Sequence, residues 1–392
     1  MVVAAQLPFE QANPLQVAPR LRELQAQGAV HRVLTDVGDS AWLVTRHAEV
    51  RRLLDDDRLG RSHPAPETAA RTGESALFGG PLGDFATEHA DHQRLRALLQ
   101  PHFTPKHMRA LQPRIEALAT GLLDELTDQG PPADLHAVLA LPLPILVICE
   151  LLGVPYEDRE QFRRWTDDAG NIRAHARSQH GLEQLFAYGQ RLVAAKRREP
   201  GDDVISRLCS TEGVSNDEAA ELSMFLLFAG HETTVVQIGL TALLLLANRE
   251  QWQALVDNPG LVPNAVEETL RASRRGGGAM VRYARTDLEI DGVTINAGDL
   301  VLLELGGGNH DPAVFADPDR VDITRPAVSH LAFGYGARYC IGAPLARIEL
   351  QVVFSQLVSR FPTLRLAADV DDLEMRDDEL TGGLTELPVW WY

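Results

Sequence analysis

The run Phe333-Gly334-Tyr335-Gly336-Ala337-Arg338-Tyr339-Cys340-Ile341-Gly342 constrains this chain more than any other stretch. Glycines at 334, 336 and 342 break any regular element there. They let the backbone reach positive φ and pass close to a large flat ligand. The next residues, Ala343-Pro344-Leu345-Ala346-Arg347-Ile348-Glu349-Leu350, carry a helix pattern. The segment is therefore a loop feeding a helix, with one cysteine near the junction and a cation two residues before it. A thiol entering a helix N-terminus sees the positive end of the dipole and unpaired backbone N–H groups. Both favour thiolate over thiol. The competing reading is a structural Cys beside a Gly-rich turn.

A thiolate held in such a loop is a good axial ligand for haem iron. The ten-residue pattern resembles the haem-binding loop of the cytochrome P-450 family, F-G-x-G-x-(H/R)-x-C-x-G. The resemblance extends over nearly the whole chain. It implies one domain, 1–392, mainly α with a minor segregated antiparallel β part. It also implies one haem (heme b, iron protoporphyrin IX) per chain. Cys340 becomes the proximal iron ligand, within a haem loop that begins at Phe333 and Gly334. Arg338 becomes a partner of a haem propionate.

A second feature lies upstream. Ser215-Asn216-Asp217-Glu218 fits a capping box and opens a helix reaching about Ala247. Its apolar run from Leu222 to Phe228 is broken by Ala229-Gly230-His231-Glu232-Thr233-Thr234, then resumes. A Gly inside a helix costs about 1 kcal/mol relative to Ala. Beside an acid and two hydroxyls, it suggests a local opening of the helix at a ligand. The block resembles the family's oxygen-binding motif, (A/G)-G-x-(D/E)-T. That implies Thr233 and Glu232 as the catalytic pair, Thr233 beside bound dioxygen and Glu232 relaying protons.

Three charged sets complete the pattern. Glu268 and Arg271, three apart, share a helix face; the resemblance makes them a buried E-x-x-R pair completed by Arg325. His92 and Arg96 share another face, and with Arg282 they match propionate-binding positions of the family. Arg94 points away from His92 and Arg96, and with Lys106 and Arg109 forms a cationic patch suited to an acidic ferredoxin. Gly276-Gly277-Gly278 stands where relatives project apolar groups, which suggests a widened substrate chamber.

Elsewhere, Val30 to Leu34 and Trp42 to Val44 read as paired strands, and Asp291-Gly292 turns a hairpin. Gly382-Gly383 turns another. Residues 61 to 90 and 305 to 332 look irregular. Helical patterns cover His92 to Leu99, Pro113 to Thr127, Glu157 to Trp165 and Gly181 to Arg198.

Net charge is −18, which argues against nucleic acid as a partner. Three scattered cysteines cannot build a disulfide framework or a zinc site, and Cys149 reads as core. No signal peptide and no run of about 18 apolar residues is visible, so the expectation is a cytoplasmic, membrane-free monomer. The family implies a monooxygenase that puts one oxygen atom of O2 into a small, mostly apolar molecule in natural-product biosynthesis. Electrons would come ultimately from NAD(P)H through a ferredoxin and a ferredoxin reductase. Oxidative coupling or ring formation, and a haem-thiolate sensor without turnover, are the alternatives.

Overall fold

The computed structural model describes residues 4–273, 279–326, 329–376 and 378–392. The Gly276–Gly278 run lies outside these residues. Helices dominate, and the strands gather into three small sheets.

The helix Asn216–Ala247 runs through the middle of the helical part. Ser215 caps it by accepting the Glu218 N–H at 3.1 Å. Only half of the expected capping box forms, because the Glu218 carboxylate pairs with Arg94 instead. Arg94 is thus paired with this helix, while its side chain stays exposed. An apolar window of this helix is long enough to cross a membrane, but 78% of it is buried inside the protein. Its hydropathy serves the core, which also takes the helices Pro105–Gln129, Pro142–Leu152 and Ala343–Arg360.

The helix is unbroken through the polar block, so the expected opening at Gly230 does not occur. Gly230 has a different cause. A Cβ there would come 2.7 Å from Ile148 Cδ1, so the glycine lets the helix Pro142–Leu152 approach closely.

Two further boundaries differ from expectation. The helix expected from Pro113 begins at Pro105, capped by Thr104, and passes through Pro113. Proline fits the first turn of a helix, where its missing N–H is an orphan anyway. Within 305–332, Leu305–Asn309 is helical, with Glu304 Oε1 accepting the Gly306 N–H at 3.1 Å.

The largest sheet orders its strands as Ala5–Gln6, Val30–Leu34, Ser40–Val44, Leu300–Glu304, Ala279–Ala284 and Leu59–Gly60. Ser40–Val44 and Leu300–Glu304 pair in parallel, so two distant parts of the chain meet mid-sheet. The Asp291-Gly292 hairpin forms as expected, both residues at positive φ (51° and 77°). Gly382 and Gly383 also take positive φ, beside a single antiparallel bridge from Met375 to Leu384.

Candidate active site

Cys340 lies in the loop before the helix Ala343–Arg360. Its N–H donates to the Phe333 carbonyl at 2.9 Å, closing the loop on itself. Gly334 and Gly336 take φ of 72° and 71°. Gly342 does not need its freedom; it sits at φ −81° as the helix N-cap. The Ala337 N–H donates to Asp55 Oδ1 at 3.0 Å, and the same carboxylate fills the space a Cβ on Gly336 would take. Asp55 thus fixes the loop from a segment the sequence pattern did not single out. Phe333 lies under the Arg347 guanidinium, 4.5 Å from its ring centre. Arg347 is itself held in a two-pronged pair with Glu267 at 2.6 and 2.9 Å.

The Cys340 sulfur is deep among protein atoms, yet the residue is accessible, so it borders an internal space. Burial raises the thiol's pKa, while the N–H groups of Gly342 and Ala343 and the charges of Arg96 and Arg347 pull it back. The loop alone therefore does not secure a thiolate. A bound cation does, because a coordinating thiol is deprotonated outright.

Near Cys340 the side chains of His92, Arg96, Arg282 and Arg338 converge, and the structure adds Arg61. Arg96 donates to the Tyr339 carbonyl at 2.5 Å. Arg282 is buried and, among the described residues, donates only to the neighbouring Val281 carbonyl, at 2.8 Å. Its pKa falls to about 10 through burial and the charges of Arg338 and Arg61. Burial, then Arg338 and Arg96, lower the pKa of His92. Arg61 Nε and one terminal nitrogen are buried with no hydrogen-bond partner. The nearby carboxylate is Glu88, which takes Arg338 at 2.7 Å. Glu88 against Arg61, Arg96, Arg282, Arg285 and Arg338 leaves positive charge in excess among buried and half-buried groups. Such a cluster suits a ligand carrying two carboxylates, as a haem does, bound through the planar forks of Arg.

Thr233 stands on the long helix among buried residues and is itself exposed, its hydroxyl donating to the Ala229 carbonyl at 2.9 Å. Phe225, two turns earlier on the same stripe, is 52% exposed. This stripe is an accessible face on an otherwise buried helix. Glu232 faces the other way and is 3% exposed. It stands 3.5 Å from Thr381 Oγ1 and 3.6 Å from Arg376. Burial raises its pKa.

The E-x-x-R set meets as expected. Arg271 grips Glu268 through two bonds of 2.8 Å, and Arg325 Nε adds 3.2 and 3.3 Å contacts. Cys149 is core, its pKa raised to about 12 by burial.

Comparison with known proteins places this arrangement. The family model described as cytochrome P450 matches residues 190–382. The chain is 41% identical to pentalenolactone synthase of Streptomyces exfoliatus, over 98% of each chain. It is 40% identical to nocardicin C N-oxygenase of Nocardia uniformis subsp. tsuyamanensis, again over 98% of both. The crystal structure of SgvP, a putative thioether synthase in the tailoring step of griseoviridin, superposes with a TM-score of 0.93. That similarity covers 100% of both chains at 36% identity.

Proposed function

The chain belongs to the cytochrome P450 family and is a monooxygenase of that family, and from this premise we propose which side chains hold the haem and which handle protons. Cys340 Sγ is the iron ligand. Arg61, His92, Arg96, Arg282 and Arg338 receive the propionates, which removes the charge excess that burial imposes on them. Asp55 holds the loop through Ala337, while Phe333 and Gly334 shape the turn that would hold the haem. When bound, the haem supplies reductive activation of O2, so that one oxygen atom enters the substrate and the other leaves as water.

This chemistry consumes protons in a site that excludes water, so protons must come from side chains. The Thr233 hydroxyl is the group on the accessible face. Glu232, one residue earlier and facing the protein, holds the proton that resupplies it. Electrons come ultimately from NAD(P)H through a ferredoxin and its reductase. The enzyme works as a one-domain monomer in the cytoplasm.

The substrate is a small, mostly apolar natural-product intermediate, hydroxylated or epoxidised. The exposed Phe225 on the Thr233 face supports an apolar ligand there, and the relatives' names support the class. A second reading, oxidative bond or ring formation, is favoured by two of the similar proteins being called synthases. Heavy-isotope O2 separates them: insertion labels the product, whereas coupling leaves it unlabelled.

The observation that supports the cofactor assignment is the cluster of Arg61, Arg282 and Arg338 around the Glu88 carboxylate, with Arg61 Nε unpaired and Arg96 bonded to the cysteine loop at the Tyr339 carbonyl. Cys340→His tests it. The variant keeps haem but loses the thiolate spectrum of the reduced carbonyl complex. A retained thiolate spectrum would move the ligand to Cys149 or Cys209.

A further inference from the structure

Glu232 is a buried acid whose partners are few and loosely held: the Thr381 hydroxyl at 3.5 Å, Arg376 at 3.6 Å and the neighbouring Asp167 carboxyl. Its Oε1 has no hydrogen bond, and neither ring nitrogen of His231 has one. His231 Nδ1 stands 3.5 Å from Glu232 Oε1. Beside the carboxyl lies a cavity of about 10 Å3, lined among others by Thr166, Asp167, Phe228, Glu232, Glu379 and Thr381. That volume is about the size of one water molecule. Three carboxyl groups therefore surround a single water-sized space. Two of them, Asp167 and Glu379, are half-buried and so reach solvent, whereas Glu232 is buried. Arg376 holds Glu379 at 2.6 Å through one nitrogen, while its other terminal nitrogen reaches only to 3.6 Å from Glu232.

We propose that Asp167 and Glu379 are proton-relay residues, feeding solvent protons through this cavity to Glu232, with Arg376 positioning Glu379 at its mouth. The proposal rests on the Glu232–Thr233 reading above and extends it outward. Glu232 gives the proton of its carboxyl O–H toward the Thr233 side. It regains one from the cavity water as that water takes one from Asp167 or Glu379. Solvent then reprotonates the outer acid. Only O–H bonds break and form, and no electrons are exchanged.

The titration behaviour of the surroundings agrees. Burial, then the Glu232 charge, raise Asp167 to about 6. Burial, against the Arg376 charge, and with Glu232, Asp167 and Asp378 adding, raises Glu379 to about 7. Both outer acids thus carry protons close to neutral pH. His231, on Glu232's own helix, is kept neutral by burial, with a pKa of about 4. Arg163 faces the cluster from the helix Arg159–Gly170. Arg376, Asp378 and Thr381 face it from the C-terminal segment, with His136 beside Arg376.

The haem-loaded full chain is compared with Asp167→Asn, Glu379→Gln, Asp167→Glu and Glu232→Gln, with haem content matched. One readout is the infrared carboxyl C=O absorption against pH, which requires no turnover. The other is the split of reduced O2 between peroxide and water, driven by a surrogate ferredoxin and reductase, which requires no substrate. In the parent protein the carboxyl absorption fades as pH rises through about 6 to 7, and the peroxide share rises with it. Asp167→Asn and Glu379→Gln each remove part of the absorption, raise the peroxide share several-fold at neutral pH and flatten its pH dependence. Asp167→Glu restores both. If both outer variants keep the parent's split and pH profile while Glu232→Gln releases mostly peroxide, the outer relay is wrong and the Glu232 reading stands. If Glu232→Gln also behaves as the parent, the reading beneath it is wrong as well.

Discussion

Glu88 and Glu232 are buried to nearly the same depth, 8% and 3% exposed, yet they face opposite surroundings. Glu88 accepts the Arg61 and Ser62 N–H groups at 2.8 and 3.0 Å and the Ser62 hydroxyl at 2.5 Å. Arg338 adds a contact at 2.7 Å and Arg285 one at 3.5 Å. Burial would raise its pKa, but these donors outweigh burial and hold it at about 2. Glu232 has only the Thr381 hydroxyl at 3.5 Å, Arg376 at 3.6 Å and the Asp167 carboxyl against it, and burial outweighs them, so its pKa rises. Depth alone does not decide whether a carboxyl is a fixed charge; the number of donors aimed at it does. In the proposed reading, the first kind anchors cations around the cofactor and the second carries protons.

The largest effect that tests this contrast is on stability. Glu88→Gln leaves Arg338 and Arg285 buried without their carboxylate. Breaking a buried ion pair costs about 3–5 kcal/mol, so denaturant unfolding at pH 7 reads a loss of that order. Glu232→Gln keeps a polar group of the same shape and gives up only the long contacts to Thr381 and Arg376 and the one to Asp167, so the same measurement reads a change within about 1 kcal/mol. Equal losses from the two variants would break the comparison.

A smaller effect is the opposite pH slope of the two regions. The folded pKa of Glu88, and that of Glu267 held at about 2 by His330 and Arg347 against burial, lie below the unfolded value near 4.5. Their stabilisation is full above about 4.5 and is lost as pH falls toward 2. The folded pKa values of Asp167 and Glu379 lie above their unfolded ones. Their contribution is full below about 4 and is lost as pH rises through about 6 to 7. Asp167→Asn should therefore flatten the decline between pH 5 and 8, and Glu88→Gln the decline below about 4.5. Thermal melts across pH measure both.

The smallest effect concerns Arg61. Arg61→Met keeps the backbone N–H that serves Glu88 but removes the unpaired guanidinium. The folded protein without cofactor should hold its stability, while haem passes to a scavenging apoprotein several-fold faster. An unchanged transfer rate would take Arg61 out of the propionate set.

Much of this was legible in the sequence because it is written locally. The loop at 333–342, the Ser215 cap, the Glu268–Arg271 spacing and the Asp291-Gly292 turn are each set by a few neighbouring residues, and each appears in the structure. Arg325 also reaches Glu268, though only the family pattern pointed to it. What stayed hidden depends on contacts between remote segments. Arg61 lies in an irregular stretch with no period to flag it, and Asp55 reaches the loop from nearly three hundred positions away. Asp167 and Glu379 meet Glu232 only after three segments pack. Gly230 was read through its polar neighbours, whereas Ile148 on another helix explains it. The pairing of Arg94 with Glu218 was hidden for the same reason, since the two are remote in sequence.

The parallel pairing of Ser40–Val44 with Leu300–Glu304 has a consequence for how the molecule is made. Trp42 faces Val301 and Val44 faces Leu303. A ribosome must therefore add about 260 residues before the N-terminal hairpin finds its neighbour, a contact of very high sequence separation. Until then Ser40–Val44 presents an unpaired strand edge, the kind of surface that recruits other chains. Chains truncated before residue 300 should aggregate through that edge, and synthesis slow enough to prolong its exposure should lower the yield of folded enzyme.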